Sequence, residues 1–306
     1  MTAQPPTSST GAASGTGSAD RTATPGASDR TVVELAGVEK RFGPVSGGIV
    51  ALEAIDLTIG HGEFVSLIGP SGCGKSTLLR LIGDLTAPTT GDVRVNGKTA
   101  RQARLDRDYG MVFQAPVLMD WRTVEKNVQL PLEIMGFPGA ERARRAAALL
   151  DLVELREFAG RYPWQLSGGM QQRVAIARAL AFDPKLLLMD EPFGALDEMT
   201  RERMNLELMD LWRRLATTIV FVTHSIPEAV FLSTRVVVMS PRPGRISKIV
   251  EIDLPQPRTV ETRELERYFR LVTNVREALR RNEGDDSRGD ERSASDAARV
   301  RAEGAG

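Results

Sequence analysis

The sequence predicts an α/β fold built on a largely parallel sheet, and three observations carry that prediction. Short β-rich runs alternate with stretches whose apolar residues recur at helical spacing. The run Phe64 to Ile68 leads at once into GPSGCGKST, residues 69–77, and then into the helix-forming Leu78 to Ile82. A second apolar run, LLLMDE at 186–191, ends in two adjacent carboxylates. Strands connected through helices need crossover connections and so lie parallel, with ligands at their carboxyl ends.

In chain order, residues 1–30 are dominated by Gly, Ala, Ser, Thr and Pro, too little apolar surface to offset the entropy of ordering, so a disordered leader is expected there. The folded body is expected over 31–255. Val50 to Ile59 and Phe64 to Ile68 read as strands. The region before residue 60 and the stretch Val93 to Gln114 read as antiparallel and glycine-punctuated. A helical subdomain is expected over about 115–180. Leu186 to Met189, Thr218 to Val222 and Val236 to Met239 complete the strands. Between them, Glu198 to Ala216 places Met204, Leu208, Leu211, Trp212 and Leu215 at helical spacing, an amphipathic helix packed on the sheet. Residues 256–282 are expected to form a docking helix, its stretch Thr262 to Arg281 showing Leu265, Phe269, Val272 and Leu279 on one face. Residues 283–306 are expected to be a solvated tail. No repeat of 20 to 50 residues is visible.

Composition narrows the class. The 306 residues carry 40 Lys+Arg against 40 Asp+Glu, so no overall basic field is available to gather nucleic acid. The apolar-leaning stretches Glu63 to Gly74 and Tyr109 to Met119 are shorter than the roughly 20 apolar residues of a membrane span. With one cysteine, Cys73, no internal disulfide can form, and the N-terminal stretch lacks a secretory layout, so a reducing, cytosolic setting is expected.

The chemistry begins at 69–77. Gly69, Gly72 and Gly74 let backbone amides, including those beside Pro70, Ser71 and Cys73, turn inward as a nest of donors at the positive end of a helix. Lys75 can bridge the β- and γ-phosphates, Ser76 can coordinate Mg²⁺ and Thr77 can add a hydroxyl contact. A glycine-rich turn that happens to precede a helix is the bland alternative; the full GxxxxGKST pattern between strand and helix disfavours it. The loop by itself indicates only a nucleoside triphosphate, since kinases, small GTPases, helicases and transport ATPases share it. Asp190 can help hold Mg²⁺ and Glu191 can orient or deprotonate a water at the exit of an apolar strand. A strand that merely ends in charge is common; after a phosphate loop it is the weaker reading.

Between these elements lies QLSGGMQQRVAIARAL, residues 165–180. Ser167 can cap a helix, and Gly168 and Gly169 leave amides open to an anion. Local sequence alone would also allow an ordinary capped helix. Taken in order, the glycine loop, the LSGG segment and the hydrophobic-DE strand resemble the ABC-type ATPases, over roughly residues 32–250. The implied fold is a P-loop NTPase of ABC type, with a mostly parallel core sheet, an antiparallel β subdomain and a helical subdomain.

The resemblance implies further roles. Gln114 matches the glutamine that touches Mg²⁺ and the transmembrane partner. Asp197, in GALD at 194–197, matches the acid of the loop where two subunits meet. His224, in FVTHS, matches the switch histidine on the γ-phosphate, and Phe42, in KRFG, the aromatic that stacks on adenine, though an early Phe could equally be core. His61, in a Gly-His-Gly turn, is expected at the surface. The signature departs from the usual LSGGQ at Met170, while Ser167 and both glycines remain.

The resemblance also implies an ATPase using ATP and Mg²⁺, a homodimer with two ATP molecules sandwiched between glycine loop and signature, separate permease subunits in the membrane, and an extracytoplasmic solute-binding protein acting through them. The expected location is the cytoplasmic face of the inner membrane, with no nucleic acid partner. Residues 112–136 and MSPRPGRI at 239–246 are similar to ATPase subunits of nitrate, sulfonate, taurine and bicarbonate importers. Among rival classes, a DNA-repair relative would carry a coiled-coil insertion, a translation-factor relative two ATPase units, and a kinase would leave the signature and His224 without a role. The alternative retained is a non-transport ABC ATPase acting on nucleic acid or another macromolecule.

Overall fold

The computed structural model describes residues 28–44 and 46–282. Strand β1 (Ser28–Phe42) begins inside the expected leader; the rest of that segment, and residues 283–306, lie outside the described residues. Then follow β2 (Ile49–His61), β3 (Phe64–Ile68), α1 (Lys75–Ile82), β4 (Thr90–Val95), β5 (Lys98–Thr99), α2 (Ala100–Leu105) and β6 (Tyr109–Val112). The helices α3 (Val124–Ile134), α4 (Gly139–Leu152) and α5 (Gly168–Leu180) come next, with two single 3₁₀ turns before α5. The chain returns through β7 (Leu186–Asp190), α6 (Glu198–Leu215), β8 (Thr218–Val222), α7 (Ile226–Leu232), β9 (Arg235–Met239) and β10 (Ile246–Glu251), and a last helix, α8, runs over 266–282.

Two sheets result. One is a four-stranded antiparallel sheet in the order β2-β1-β4-β5; the other has six strands in the order β10-β9-β3-β8-β7-β6. Within the second, β9, β3, β8, β7 and β6 run parallel and only β10 is antiparallel. Strands β3, β7 and β8 are buried along their whole length, as parallel strands covered on both faces must be. Because side chains alternate across a strand, each one feeds two cores. Phe64 and Ile68, Leu187 and Met189, and Ile219 and Phe221 pack with α5, α6, α7 and α8. Val65 and Leu67, Leu186 and Leu188, and Val220 and Val222 pack with α1, α2 and the antiparallel sheet.

The structure corrects two sequence expectations. β6 lies in the 93–114 stretch expected to be antiparallel, yet it pairs parallel with β7, Tyr109 opposite Leu186 and Val112 opposite Met189. Only β4 and β5 are antiparallel there; α2 acts as a crossover that returns the chain to the core sheet. In α8 the buried face is Tyr268, Leu271, Val272, Val275 and Ala278, spaced over nearly three turns of helix, with Leu279 beside it. Leu265 precedes the helix, and Phe269, one residue and about 100° around from Tyr268, is 58% exposed. Tyr268 Oη donates to the Pro227 carbonyl at 3.1 Å, tying α8 to the start of α7. Among the described residues no helix is long and apolar enough to cross a membrane.

Candidate functional site

The site forms because four neighbouring parallel strands deliver their carboxyl ends to one edge. β3 leads into the glycine loop, β8 into Thr223 and His224, β7 into Asp190 and Glu191, and β6 into Phe113 and Gln114. Residues far apart in sequence thus share a few ångströms of space.

In the glycine loop, Gly72 and Gly74 have φ of +75° and +105°, a region that side chains with a Cβ rarely enter. Gly74 also passes so close to β2 that a Cβ would stand 2.6 Å from Leu52 and 3.0 Å from the Ala51 carbonyl. The loop therefore wraps tightly before α1, whose first-turn amides carry the positive end of the helix dipole. Lys75 is buried, its Nζ donating to the Gly69 carbonyl at 2.8 Å and the Pro70 carbonyl at 2.9 Å, so the ammonium lies across the loop. Cys73 N–H donates to the Pro70 carbonyl at 3.3 Å, and its thiol is 1% exposed. Burial pushes that thiol up, with the Lys75 charge opposing in part. Ser71 is exposed, and Thr77 is half-buried on the first turn of α1.

Ser76 Oγ donates to Asp190 Oδ1 at 2.7 Å, joining the start of α1 to the end of β7. Glu191 follows in the left-handed region at φ +45°, a conformation that costs a non-glycine residue roughly 1 to 3 kcal/mol. Its N–H donates to the Val222 carbonyl at 3.0 Å and its carbonyl accepts from Gly194 N–H at 3.1 Å, so the backbone on both sides holds the twist. The twist turns the Glu191 carboxylate toward His224, whose Nδ1 lies 3.4 Å from Oε2. Gln114 is exposed beside them: a Cβ on Gly194 would lie 3.5 Å from Gln114 Nε2 and 3.7 Å from Glu191 Oε2.

Oxygen donors from Ser76, Asp190 and Gln114 suit Mg²⁺, which keeps several waters and uses substrate phosphate oxygens. Among the described residues no three His, Cys, Asp or Glu side chains cluster to hold a metal alone, so such a cation would draw on phosphate and water as well. The glycine loop, with its small residues and inward-turning geometry, fits a polyphosphate.

Phe42 ends β1 opposite Ile49, near the Ala51 and Leu52 segment of β2 that packs on Gly74. It is 47% exposed, so it is not core, and Lys40 Nζ sits 5.0 Å from its ring centre. The ring is thus available on the surface by the glycine loop. His61 ends β2 and is exposed.

The signature segment lies apart. Ser167 caps α5, its Oγ accepting from Met170 N–H at 3.3 Å, a contact typically worth about 1 kcal/mol. Met170 contributes only its backbone to that cap. Gln171 donates to the Pro163 and Leu166 carbonyls and Gln172 to Phe113, so the segment is anchored within the helical subdomain and onto the end of β6. None of these bonds reaches 69–77. Ser167 and Gly168 are exposed; Gly169 is buried against Thr200. Asp197 is the N-cap of α6, its Oδ1 accepting from Thr200 N–H at 3.0 Å, and that bond holds its carboxyl below the usual range.

Sequence reasoning passed over Arg242, whose guanidinium donates to the Gly72 carbonyl at 3.0 and 3.3 Å. It also passed over Glu228, buried behind His224 with its carboxyl bonded by Thr223 Oγ1 at 2.5 Å and pushed up by burial. Glu228 lies within the helical pattern after a strand and had no local signal; Arg242 lay in the MSPRPGRI segment but without a visible partner.

A family model described as ABC transporter matches residues 52–194. The nitrate import ATP-binding protein NrtD of Synechocystis sp. is 44% identical over 261 residues, covering 83% of this chain and 97% of that protein. The taurine import ATP-binding protein TauB of Rhizobium johnstonii is 49% identical over 203 residues, covering 66% and 77%. Among solved structures, the dimeric ATP-binding cassette MJ0796 in a post-hydrolysis state, bound to ADP and Pi, superposes with a TM-score of 0.64 at 39% identity, covering 72% of this chain and 98% of that one.

Proposed function

The chain belongs to the ABC transporter family of ATP-binding subunits, and from that premise we propose that its strand-end site powers import of a small anion through separate membrane permease subunits. It is an ATPase of ABC type that uses ATP with Mg²⁺. The observation that carries the reading of the site is the convergence of the phosphate loop, the Ser76–Asp190 pair, the Glu191–His224 pair and Gln114 on one sheet edge. Ser76, Asp190 and Gln114 would hold Mg²⁺, which would supply charge neutralisation to the phosphates.

The chain's own residues then divide the work. The loop amides and Lys75 receive the β- and γ-phosphates, which requires the Nζ to exchange the Gly69 and Pro70 carbonyls for phosphate oxygens. Ser76 and Asp190 are placed to hold the cation. Glu191 orients or deprotonates the attacking water, and His224, within reach of the same carboxylate, senses the γ-phosphate. Phosphoryl transfer depends on such positioning and electrostatics more than on covalent chemistry. Phe42 stacks on adenine from the β1–β2 hairpin.

Ser167 and Gly168 are exposed on a helical subdomain whose hydrogen bonds do not reach the chain's own phosphate loop, which supports completion of each site by a second copy's signature. Asp197 caps the helix at that meeting surface. A dimer held in part by the γ-phosphate opens when hydrolysis removes that charge, converting chemistry into motion. Exposed Gln114 passes that motion to the permease. Relatives named for nitrate and taurine import support a small oxyanion or sulfonate as solute. An extracytoplasmic solute-binding protein supplies it, and the ATPase works at the cytoplasmic face of the inner membrane.

The test is reconstitution. With its permease in proteoliposomes, the chain is expected to hydrolyse MgATP faster when nitrate or taurine is presented with the binding protein, and Lys75→Ala to abolish both the basal and the stimulated rate. ATP-dependent retention on DNA without permease association would overturn the reading.

A further inference from the structure

The geometry points to Arg242 as a positioning residue that presets the phosphate loop for nucleotide, through a strap formed by residues 240–245. This inference rests on the reading of 69–77 as the ATP phosphate site. The strap follows β9 and is fastened to β2. Gly244 N–H donates to the Ala51 carbonyl at 3.0 Å, Glu53 N–H donates to the Gly244 carbonyl at 3.0 Å, and Arg245 pairs with Glu53 at 2.9 Å. Ser240 closes the turn, its N–H donating to the Arg245 carbonyl at 2.9 Å and its Oγ accepting from Arg245 N–H at 3.0 Å. Gly244 passes so close beneath the phosphate loop that a Cβ would stand 1.9 Å from the Cys73 carbonyl, so only glycine lets the strap lie there.

From this anchored strap the Arg242 guanidinium reaches the loop and donates twice to the Gly72 carbonyl, from Nη2 at 3.0 Å and Nε at 3.3 Å. The peptide unit is planar and trans, so holding the Gly72 C=O also fixes the Cys73 N–H on the opposite side of that unit. Gly72 sits at φ +75°, where glycine is free to rotate and where a restraint matters most. Arg242 therefore restrains the 72–73 peptide within the turn that Cys73 N–H closes on the Pro70 carbonyl at 3.3 Å, and with it the loop from which the following amides are presented. A planar fork suits this task better than an ammonium, which offers a single point of contact. The strap also links the phosphate loop to the hairpin carrying Phe42, so base and phosphate ends of one nucleotide are aligned by one segment.

A preset loop aids ground state and transition state alike, so its loss acts on affinity and leaves turnover at saturation unchanged. The test measures Kd for MgADP and MgATP by calorimetry, KM and kcat for ATP, and the melting temperature without nucleotide. Arg242→Ala is expected to weaken both nucleotides by about tenfold, the equivalent of one charge-assisted hydrogen bond, with KM rising in step and kcat held. Arg242→Lys is expected to recover part of the affinity, and serves alone if the alanine variant does not fold. A fall in melting temperature with Kd unchanged in both variants would assign Arg242 a purely structural role and overturn the inference. Wild-type chain that fails to bind MgATP would instead overturn the phosphate-site reading beneath it.

Discussion

Ser76 Oγ and Asp190 Oδ1 stand 2.7 Å apart, so the helix that follows the glycine loop and the strand that ends in two acids meet at one bond. That bond joins a hydroxyl donor to a carboxylate at the place where a polyphosphate would lie. Ser76→Ala removes the hydroxyl, and Asp190→Asn removes the charge, without enlarging either side chain. Each is expected to raise the Mg²⁺ concentration needed for half-maximal ATP hydrolysis roughly 10- to 100-fold. Steady-state rates across a Mg²⁺ titration check this; unchanged midpoints in both variants would remove these residues from the cation site.

Cys73 is the only cysteine, sits at the heart of the phosphate loop and is 1% exposed. Burial pushes its thiol up, and the thiolate is the reactive form. Despite Lys75 beside it, the thiol is expected to resist a thiol reagent such as DTNB at neutral pH and to react fully on denaturation. Rapid modification of the folded chain would show that the loop opens far more readily than its packing allows.

Glu228 gives a pH prediction with a definite sign. Its folded-state carboxyl is pushed up by burial, so between the ordinary Glu range and its raised value the folded chain binds more protons than the unfolded one. Stability from this group is then present at low pH and is lost as pH rises through that window. One oxygen accepts from Thr223, and the other, buried, has no hydrogen-bond partner among the described residues. Glu228→Gln keeps an acceptor for Thr223 and removes the charge. The variant is expected to melt higher than wild type at pH 7 to 8, the difference closing as pH falls toward the ordinary Glu range. Parallel melting curves over pH 4 to 8 would contradict the assignment.

The phosphate loop, the Asp190–Glu191 strand end and the LSGG cap were legible because each is local: a handful of contiguous residues with one chemical purpose and a turn or strand beside them. The antiparallel reading of 93–114 went wrong at Tyr109–Val112, because a four-residue apolar run has the same pattern in a parallel or an antiparallel pair and only its partner β7 decides. The face of α8 was misread for a related reason. Val272 and Leu279 do lie on or beside the buried face, but Leu265 precedes the helix, at the end of a 3₁₀ turn, and so does not share its phase, and Phe269 falls at the exposed flank of the apolar arc. Arg242 was invisible as a partner of Gly72 since the two lie 170 residues apart and no periodicity links them. Long-range side-chain to backbone bonds of this kind leave no signature in sequence spacing.

Nucleotide is expected to join two copies of this chain through Glu191-dependent sites. Glu191 is held at φ +45°, and its Oε2 lies 3.4 Å from His224 Nδ1. Glu191→Gln preserves the shape and removes the carboxylate charge, and is expected to slow hydrolysis by roughly 100-fold or more. The decisive measurement is the molecular mass of purified Glu191→Gln by light scattering with and without ATP. A monomer alone and a stable dimer with ATP is the predicted result; a monomer under both conditions, with ATP bound, would contradict it.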